Sequence, residues 1–390
     1  MNTSPRPVLA AGLVMMVSLA AAACGSTGNA AADGGGTVQI GVVLDRTGVL
    51  AATAVPAMNG IQLAVDEVNA KGGIHGRKVE LLVEDGTSDP AVAAAAARNL
   101  SRKVPVVLGS AAGAGCRAMQ PILDSAKVLQ YCISPQQFNL TPLFFWGLAP
   151  TTDYPAATLP WLRSIKAHKL AFIGQDDASG DGYLSLFKYI AQANPTEFQI
   201  VAQERFGSGT TNLETQLTHL RDAKPDLVIA GTSGGNIVPV ARAMNALGMD
   251  QPVWVGTGSA TLDALKPLAN DIPKGGLFAN AFWVDVPDKV PGSVGYAPKV
   301  TAFTEAYSKQ YGQPGALAGG AYDATRQILD GFDSGASTGP ALAAYLEQNA
   351  HTGVLGPYEI NAKRHQGATL PPVMMTYDGG PAFKLAYSGS

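Results

Sequence analysis

The sequence predicts an α/β protein made of two successive units, each a parallel sheet with helices on both faces. Three observations predict it. Short apolar runs of strand length alternate with longer stretches that carry a helical stripe, from Thr37 onward. The alternation starts afresh near Pro150. The length of 390 residues, 46% of them hydrophobic, suits two domains with their own cores.

Taken in order, Thr37 to Asp45 (TVQIGVVLD) reads as the first strand. Met58, Ile61, Val65 and Val68 share one helical stripe, Gly72-Gly73 ends that helix, and Val79, Leu81 and Val83 alternate as a second strand. This is a βαβ unit, whose ligands lie beyond the carboxyl ends of the strands. Asp89 is expected to cap a helix from Ala91 to Ser101. A strand from Val104 to Gly109, a helix ending at Ser125 and a strand ending at Ser134 follow. In the second unit, strand Leu170 to Gly174 leads to a helix from Gly180 to Ala193, with Tyr183, Leu186, Phe187 and Ile190 on its inner side. Strand Phe198 to Val201 is next, then a helix that Thr211 and Glu214 would start as a capping box. Strand Asp226 to Gly231, helix Asn236 to Leu247 and strand Pro252 to Gly256 complete the run. Beyond Gly275 come GGLFANAFW, helices over Val300 to Tyr311 and Gly320 to Phe332, and the closing segment Gly356 to Gly367.

The amino terminus reads as an export signal. Arg6 precedes an apolar run from Val8 to Ala23, shorter than the roughly 20 residues of a spanning helix, and small residues lead into Cys24. A lipoprotein signal over residues 1–23 with Cys24 as the lipidated residue is expected, a plain secretory signal being the alternative; Ala21 stands where such signals usually have Leu. Residues 24–36 form a Gly/Ala/Ser tether. The net charge of −3, with no Lys/Arg cluster, argues against nucleic acid as a partner. Cys116 and Cys132 remain as a pair, read first as a disulfide in an exported protein, with two buried thiols as the alternative. The five His are scattered without ligand spacing, so no metal and no cofactor is expected. Gly113, Gly115 and Ala118 match G-x-G-x-x-A, but several residues past the strand and with no acid on the next strand for a ribose.

One stretch carries a longer likeness. Asn59-Gly60, AVDEVNAKGGIHGR from Ala64 to Arg77, Glu84-Asp85 and Ser88 to Pro90 resemble the leucine/isoleucine/valine-binding protein family, the solute receptors of branched-chain amino acid ABC importers. The resemblance implies two Rossmann-like lobes joined by three crossovers, the type I periplasmic binding fold. The N-terminal lobe would be 37–148 plus 280–355 and the C-terminal lobe 149–279 plus 356–390, with crossings near Leu148, Asn280 and Leu355 and the closing hairpin on the second lobe. It further implies a monomeric, extracytoplasmic, non-enzymatic protein. Its partners would be a small-molecule ligand and permease subunits, and its membrane contact only the lipid on Cys24.

By the same resemblance, the first lobe's grip falls on Ser110, Ala111, Ala112, Gly113, Ser134 and Gln136. Ser179, Ser233 and Thr257 would close over the ligand, with Thr53 where an aromatic lid is frequent. The chain departs from the family there. Ala112 and Gly113 stand where serines are usual, Ser179 replaces a Tyr before Gly180-Asp181-Gly182, and Thr257-Gly258-Ser259 lacks the acid that grips an ammonium. An ammonium buried without an anion is costly. The expected ligand is therefore neutral or anionic and polar, unless Asp153, Asp176, Asp177 or Asp181 replaces the missing acid. Two other functions fit less of the chain. One is a sensor of the same fold. The other is a serine hydrolase, because Gly231-Thr232-Ser233-Gly234-Gly235 matches G-x-S-x-G between a strand and a helix, with Asp285 or Asp323 and His351 or His365 available in permissible order.

Overall fold

The β-branched runs become strands and the striped stretches helices in regular alternation over the first part of the chain. A computed structural model describes residues 36–135 and 141–389. The export signal, Cys24, the tether up to residue 35 and Gln136 lie outside the described residues. In chain order the elements begin β1 (Val38–Leu44), α1 (Ala51–Ala70), β2 (Val79–Asp85), α2 (Pro90–Leu100), β3 (Val106–Gly109), α3 (Gly113–Ser125), β4 (Leu129–Cys132) and β5 (Phe144–Trp146). They continue with α4 (Pro155–Ser164), β6 (Lys169–Gln175), α5 (Ala178–Ala193), β7 (Gln199–Phe206), α6 (Glu214–Asp222), β8 (Leu227–Gly231), α7 (Ile237–Ala246), β9 (Val253–Val255) and α8 (Leu262–Leu265). The last part holds β10 (Leu277–Ala281), α9 (Ala297–Tyr311), α10 (Ala316–Asp333), α11 (Gly339–Gln348), β11 (Tyr358–Asn361), β12 (Arg364–Ala368), β13 (Val373–Tyr377) and β14 (Lys384–Ser388).

The first five strands form one all-parallel sheet in the order β2-β1-β3-β4-β5. A second sheet runs β14-β13-β10-β9-β8-β6-β7, parallel from β7 to β10 and antiparallel at β13 and β14. Strands β1, β3, β4 and β5 of the first sheet are buried on both faces. Ile40 and Val42 pack with α1 residues such as Ile61, whereas Val43 and Val107 face Ala93, Ala97 and Met119 of α2 and α3. That is why they read as near-continuous apolar runs.

Four local expectations need comment. Helix α1 starts at Ala51, well before Met58, although Pro56 lies inside it. Proline removes the N–H that would reach the carbonyl of Ala52; Thr261 Oγ1 donates to that oxygen instead, at 3.2 Å. The carbonyl is satisfied from the second sheet, and the helix survives. The capping box at Thr211 does not form: buried Leu213 takes the N-cap position without a side-chain bond, and Asn212 Oδ1 accepts from Glu214 N. Asp89 does cap α2, accepting from Ala91 N at 2.7 Å. The β11–β12 hairpin, expected beside the second sheet, forms its own two-stranded sheet against β5. His365 fixes it there, stacked 3.9 Å from the ring of Phe145 and bonded through Nδ1 to the Phe144 carbonyl.

Helix α1 also lies close on α10. A Cβ on Gly60 would fall 2.2 Å from the Ala318 carbonyl oxygen, so only glycine permits this approach. Gly60→Val is expected to cost about 1–3 kcal/mol, as overpacking does, and to lower the melting temperature. An unchanged melt would show that the two helices tolerate separation. Among the described residues no helix is long and apolar enough to cross a membrane.

Candidate functional site

The carboxyl ends of β1, β3 and β4 in the first sheet lie toward those of β6, β8 and β9 in the second, as the approach of α3 to α5 reflects. On the first side, Ser110 follows β3 directly. Its Oγ donates to Asp45 Oδ2 at 3.0 Å and accepts from Ala112 N at 3.1 Å, while Asp45 Oδ1 accepts from Ser88 N. Burial pushes the Asp45 carboxyl above its usual range, against the pull of those hydrogen bonds. The hydroxyl expected to grip a ligand is thus engaged within the first lobe's own framework. Ala112 is the extended N-cap of α3 and Gly113 its first residue, with no side chain capping the helix. Among the described residues no side chain caps the first N–H groups of this 13-residue helix, whose positive dipole end faces out of the sheet's carboxyl edge. Ala111 and Ser134 are buried beside them; Thr53 lies in the first turn of α1.

Cys116 and Cys132 are bonded, with Cα atoms 5.9 Å apart. The bridge ties the first turn of α3 to the end of β4, and Cys116 Sγ lies 3.2 Å from the Ser110 carbonyl oxygen. Gly115 belongs to this packing, since a Cβ there would sit 2.8 Å from Ser110. Gly115 of the dinucleotide-like pattern therefore has a packing reason.

On the second side, three loops are tied together. Asp177 caps α5, accepting from Ser179 N and Gly180 N through Oδ1, and its Oδ2 accepts from Gln175 Nε2 at 2.9 Å. Gln175 Oε1 in turn accepts from Ser233 N. Gly234 N donates to the Gly258 carbonyl and Ser259 Oγ to the Gly234 carbonyl, joining the loops after β8 and β9. Ser179, Ser233 and Thr257 are thus brought together, but not equally exposed to a ligand. Thr257 Oγ1 lies 2.7 Å from Tyr154 OH and 3.2 Å from Tyr183 OH, and Gly258 N donates to Tyr183 OH. Two tyrosines engage its hydroxyl. Ser179 Oγ and Thr232 Oγ1 are both buried with no hydrogen-bond partner among the described residues. Two orphaned hydroxyls thus stand near the ends of neighbouring strands, where a buried polar group calls for a partner.

Sequence reasoning missed Tyr183 and Thr232. Tyr183 reads as one more member of the inner stripe of α5, yet its hydroxyl reaches the loop after β9. Thr232 adjoins the predicted Ser233 and has no other signal.

The two sides touch where Gly235 N donates to the Val49 carbonyl at 2.9 Å. Gly234 has φ +57°, and a Cβ on it would fall 2.5 Å from that same oxygen. This accounts for the glycine of G-T-S-G-G. Ser233 itself has ordinary extended angles, φ −127° and ψ 147°, rather than those of a sharp nucleophile turn. Of the other triad candidates, Asp285, Asp323 and His365 are hydrogen-bonded elsewhere. Asp285 accepts from Phe282 N and Ala316 N, Asp323 from Val354 N and Leu355 N, His365 bonds Phe144 and Glu347, and His351 packs edge-on against Tyr358. The aspartates that could hold an ammonium are likewise committed: Asp177 to its cap, and Asp176 and Asp181 to Arg205 at 3.6 and 2.7 Å. Asp153 stands in a short turn before α4, near Arg364, its carboxyl raised chiefly by burial.

A family model described as periplasmic binding protein matches residues 37–381. A Leu/Ile/Val-binding protein of Escherichia coli is 23% identical over 334 residues, covering 84% of this chain and 87% of that protein. A branched-chain amino acid transporter substrate-binding protein, LivJ, of Streptococcus pneumoniae in complex with isoleucine superposes with a TM-score of 0.75 at 23% identity, over 90% of this chain and 99% of its own. A solute-binding protein of an ABC transporter from Rhodopseudomonas palustris in complex with benzoate gives 0.74 at 19% identity, over 90% and 96%.

Proposed function

Because the chain belongs to the periplasmic binding protein family, we propose that it captures a small solute between its two sheets, by closure of two lobes, and delivers it to an ABC importer of the branched-chain amino acid type. The lobes we infer are 37–148 plus 280–355 and 149–279 plus 356–390, corrected in that β10 (Leu277–Ala281) stays with the second sheet and the β11–β12 hairpin packs on β5 of the first. Ligand binding first to one lobe and then stabilising the closed form requires no covalent chemistry, and we read the protein as a non-enzyme. The extracytoplasmic setting of the family agrees with an export signal over residues 1–23 and a lipid anchor on Cys24, the protein acting as a monomer.

The solute we infer is a neutral or anionic molecule without a free ammonium group. One observation carries this: the loops after β6, β8 and β9 offer hydroxyls and amides but no uncommitted carboxylate. Ser179 Oγ and Thr232 Oγ1 lack partners among the described residues, whereas Asp176, Asp177 and Asp181 have theirs. The uncapped start of α3 suits a carboxylate or another acceptor. Solved relatives of this fold hold either isoleucine or benzoate, so the fold itself leaves the choice to the loops.

A thermal-shift and calorimetric screen tests the reading. A ligand at 100 times its Kd stabilises the native state by about 2.7 kcal/mol, which a melt resolves. Leucine, isoleucine and valine are expected to leave the melt unchanged at millimolar concentration, while a non-ammonium solute among aromatic acids, amides or polyols raises it. Micromolar binding of leucine would overturn the inferred ligand class.

A further inference from the structure

Cations that are scattered in the sequence are gathered by the topology of the first sheet. Its strands all run the same way, so the turns that lead from a helix into a strand share one edge. Those turns are 71–78, 101–105 and 126–128, before β2, β3 and β4. They hold Lys71, Arg77, Lys78, Arg102, Lys103 and Lys127 and no Asp or Glu. Neighbouring strands lie about 4.8 Å apart, so the order β2-β1-β3-β4 spreads the six over about 15 Å. All but the half-buried Arg77 are exposed. Among the described residues none of them is in an ion pair. The acids flanking these turns have other partners: Glu80 accepts from Thr37 Oγ1, Asp124 accepts from Thr141 Oγ1, and Asp333 lies 3.9 Å from His75. Arg102, Lys103 and Lys127 share a recess of about 510 Å³ with Ser337 and Thr338, and no carboxylate lines it. The second sheet differs. Acids in or beside its equivalent turns answer cations, Glu197 with Arg163 at 2.8 Å, Asp250 with Lys274 at 3.2 Å and Asp271 with Arg242 at 3.5 Å.

We propose that this basic edge is a docking surface for anionic phospholipid headgroups, on which the tethered protein rests. The inference builds on the reading of Cys24 as a lipid anchor and extends the membrane contact beyond that lipid. The chain itself indicates the partner. Val38 N donates to the Lys78 carbonyl at 2.9 Å, so the segment coming from Cys24 joins the sheet at this same edge. Residues 24–36 span at most about 45 Å even when fully extended, which keeps the edge near the bilayer. The net charge of −3 repels an anionic surface, so attraction is confined to this face. The cleft, at the opposite ends of the same strands, would then face away from the membrane.

Co-sedimentation of the mature chain from residue 24, carrying Cys24→Ser, with vesicles tests this. Binding is expected to vesicles of equal phosphatidylglycerol and phosphatidylcholine at about 0.1 M salt and to fade toward about 1 M, where screening shortens to about 3 Å. Phosphatidylcholine alone should capture nothing. A cation at an anionic surface is worth about fivefold in affinity, so Arg102→Gln, Lys103→Gln, Lys127→Gln together should weaken binding about 100-fold. Lys71→Gln with Lys78→Gln should weaken it about 25-fold, which serves if the triple variant does not fold. Lys166→Gln, Lys224→Gln, Lys274→Gln, the same charge removed before β6, β8 and β10, should bind as the parent does. No binding to the anionic vesicles, or an equal loss in this last variant, would overturn the proposal. So would capture of a single-stranded oligonucleotide as tight as that of vesicles, the mark of a general polyanion surface. The vesicle result does not depend on acylation, which the mass of membrane-extracted protein reads separately.

Discussion

Asp323→Ala is expected to destabilise the protein by about 2–5 kcal/mol, the penalty for leaving two buried backbone N–H groups without acceptors. Those groups are Val354 N and Leu355 N, at 2.8 and 3.0 Å from the carboxylate of a side chain that is 1% exposed. Tyr358 OH, 3.1 Å from Asp323 Oδ2 and 3.2 Å from the Gly147 carbonyl, would lose an acceptor as well. Helix α10 thereby holds the segment leading to β11 and, through Tyr358, the chain leaving β5. Asp285 repeats the device at the start of the same helix, where Ala316 N and Phe282 N donate to it at 2.7 and 2.8 Å.

Both carboxyls are raised chiefly by burial, against their hydrogen bonds, Asp323 to about 6 and Asp285 to about 7 from 3.8. Lys299 opposes the rise at Asp323, while Tyr131, Tyr322 and Tyr358 stand near it. A raised acid binds its proton more tightly when folded. The stability each group contributes is therefore fully present below about pH 4 and lost as pH rises through 6 or 7, with a slope of at most about 1.4 kcal/mol per pH unit. His351 works the other way, being held neutral when folded, so the parent profile is a sum. Urea melts of Asp323→Asn between pH 4 and 8 separate the terms. The stability difference between parent and variant should shrink as pH rises to about 6 and then level off. A difference that is flat across that range would mean that Asp323 ionises normally.

Loss of the Cys116–Cys132 bridge is the second large effect expected. The bonded residues are 16 apart in sequence, and a loop of that size gives about 3 kcal/mol in the chain-entropy account. The double variant Cys116→Ser, Cys132→Ser should melt several degrees lower, and reductant should bring the parent down to match it. Function should suffer too. The bridge fixes the first turn of α3 beside Ser110, so without it a ligand must order that turn on binding and affinity falls. Equal melting of oxidised and reduced protein would indicate that the two thiols are not joined.

The βα rhythm is legible because each strand or helix announces itself within a few residues. Tyr183, Leu186, Phe187 and Ile190 do form the buried side of α5, and DLVIAG does become β8. What fails is local reasoning about partners. The stripe from Met58 gives no sign that the helix begins at Ala51, because nothing nearby reveals that Thr261, over 200 residues later, satisfies the Ala52 carbonyl. Thr211 and Glu214 have the spacing of a cap, yet burial of Leu213 shifts the helix start past it. The final hairpin has no apolar pattern that distinguishes one sheet from the other; the stacking of His365 on Phe145 decides.

The sequence by itself determined the fold class, the family likeness, the cysteine pair and the absence of an acid in Thr257-Gly258-Ser259. All of these are carried by residue type and short-range spacing. Only the tertiary structure decided which polar groups a ligand can meet. Ser110 is engaged by Asp45, 65 residues earlier, and Thr257 by Tyr154, 103 residues earlier, whereas the hydroxyls of Ser179 and Thr232 have no partner among the described residues. Periodicity is a property of neighbouring residues, but a buried hydroxyl takes whatever donor or acceptor the folded chain brings within about 3 Å, and that choice is made across the whole molecule.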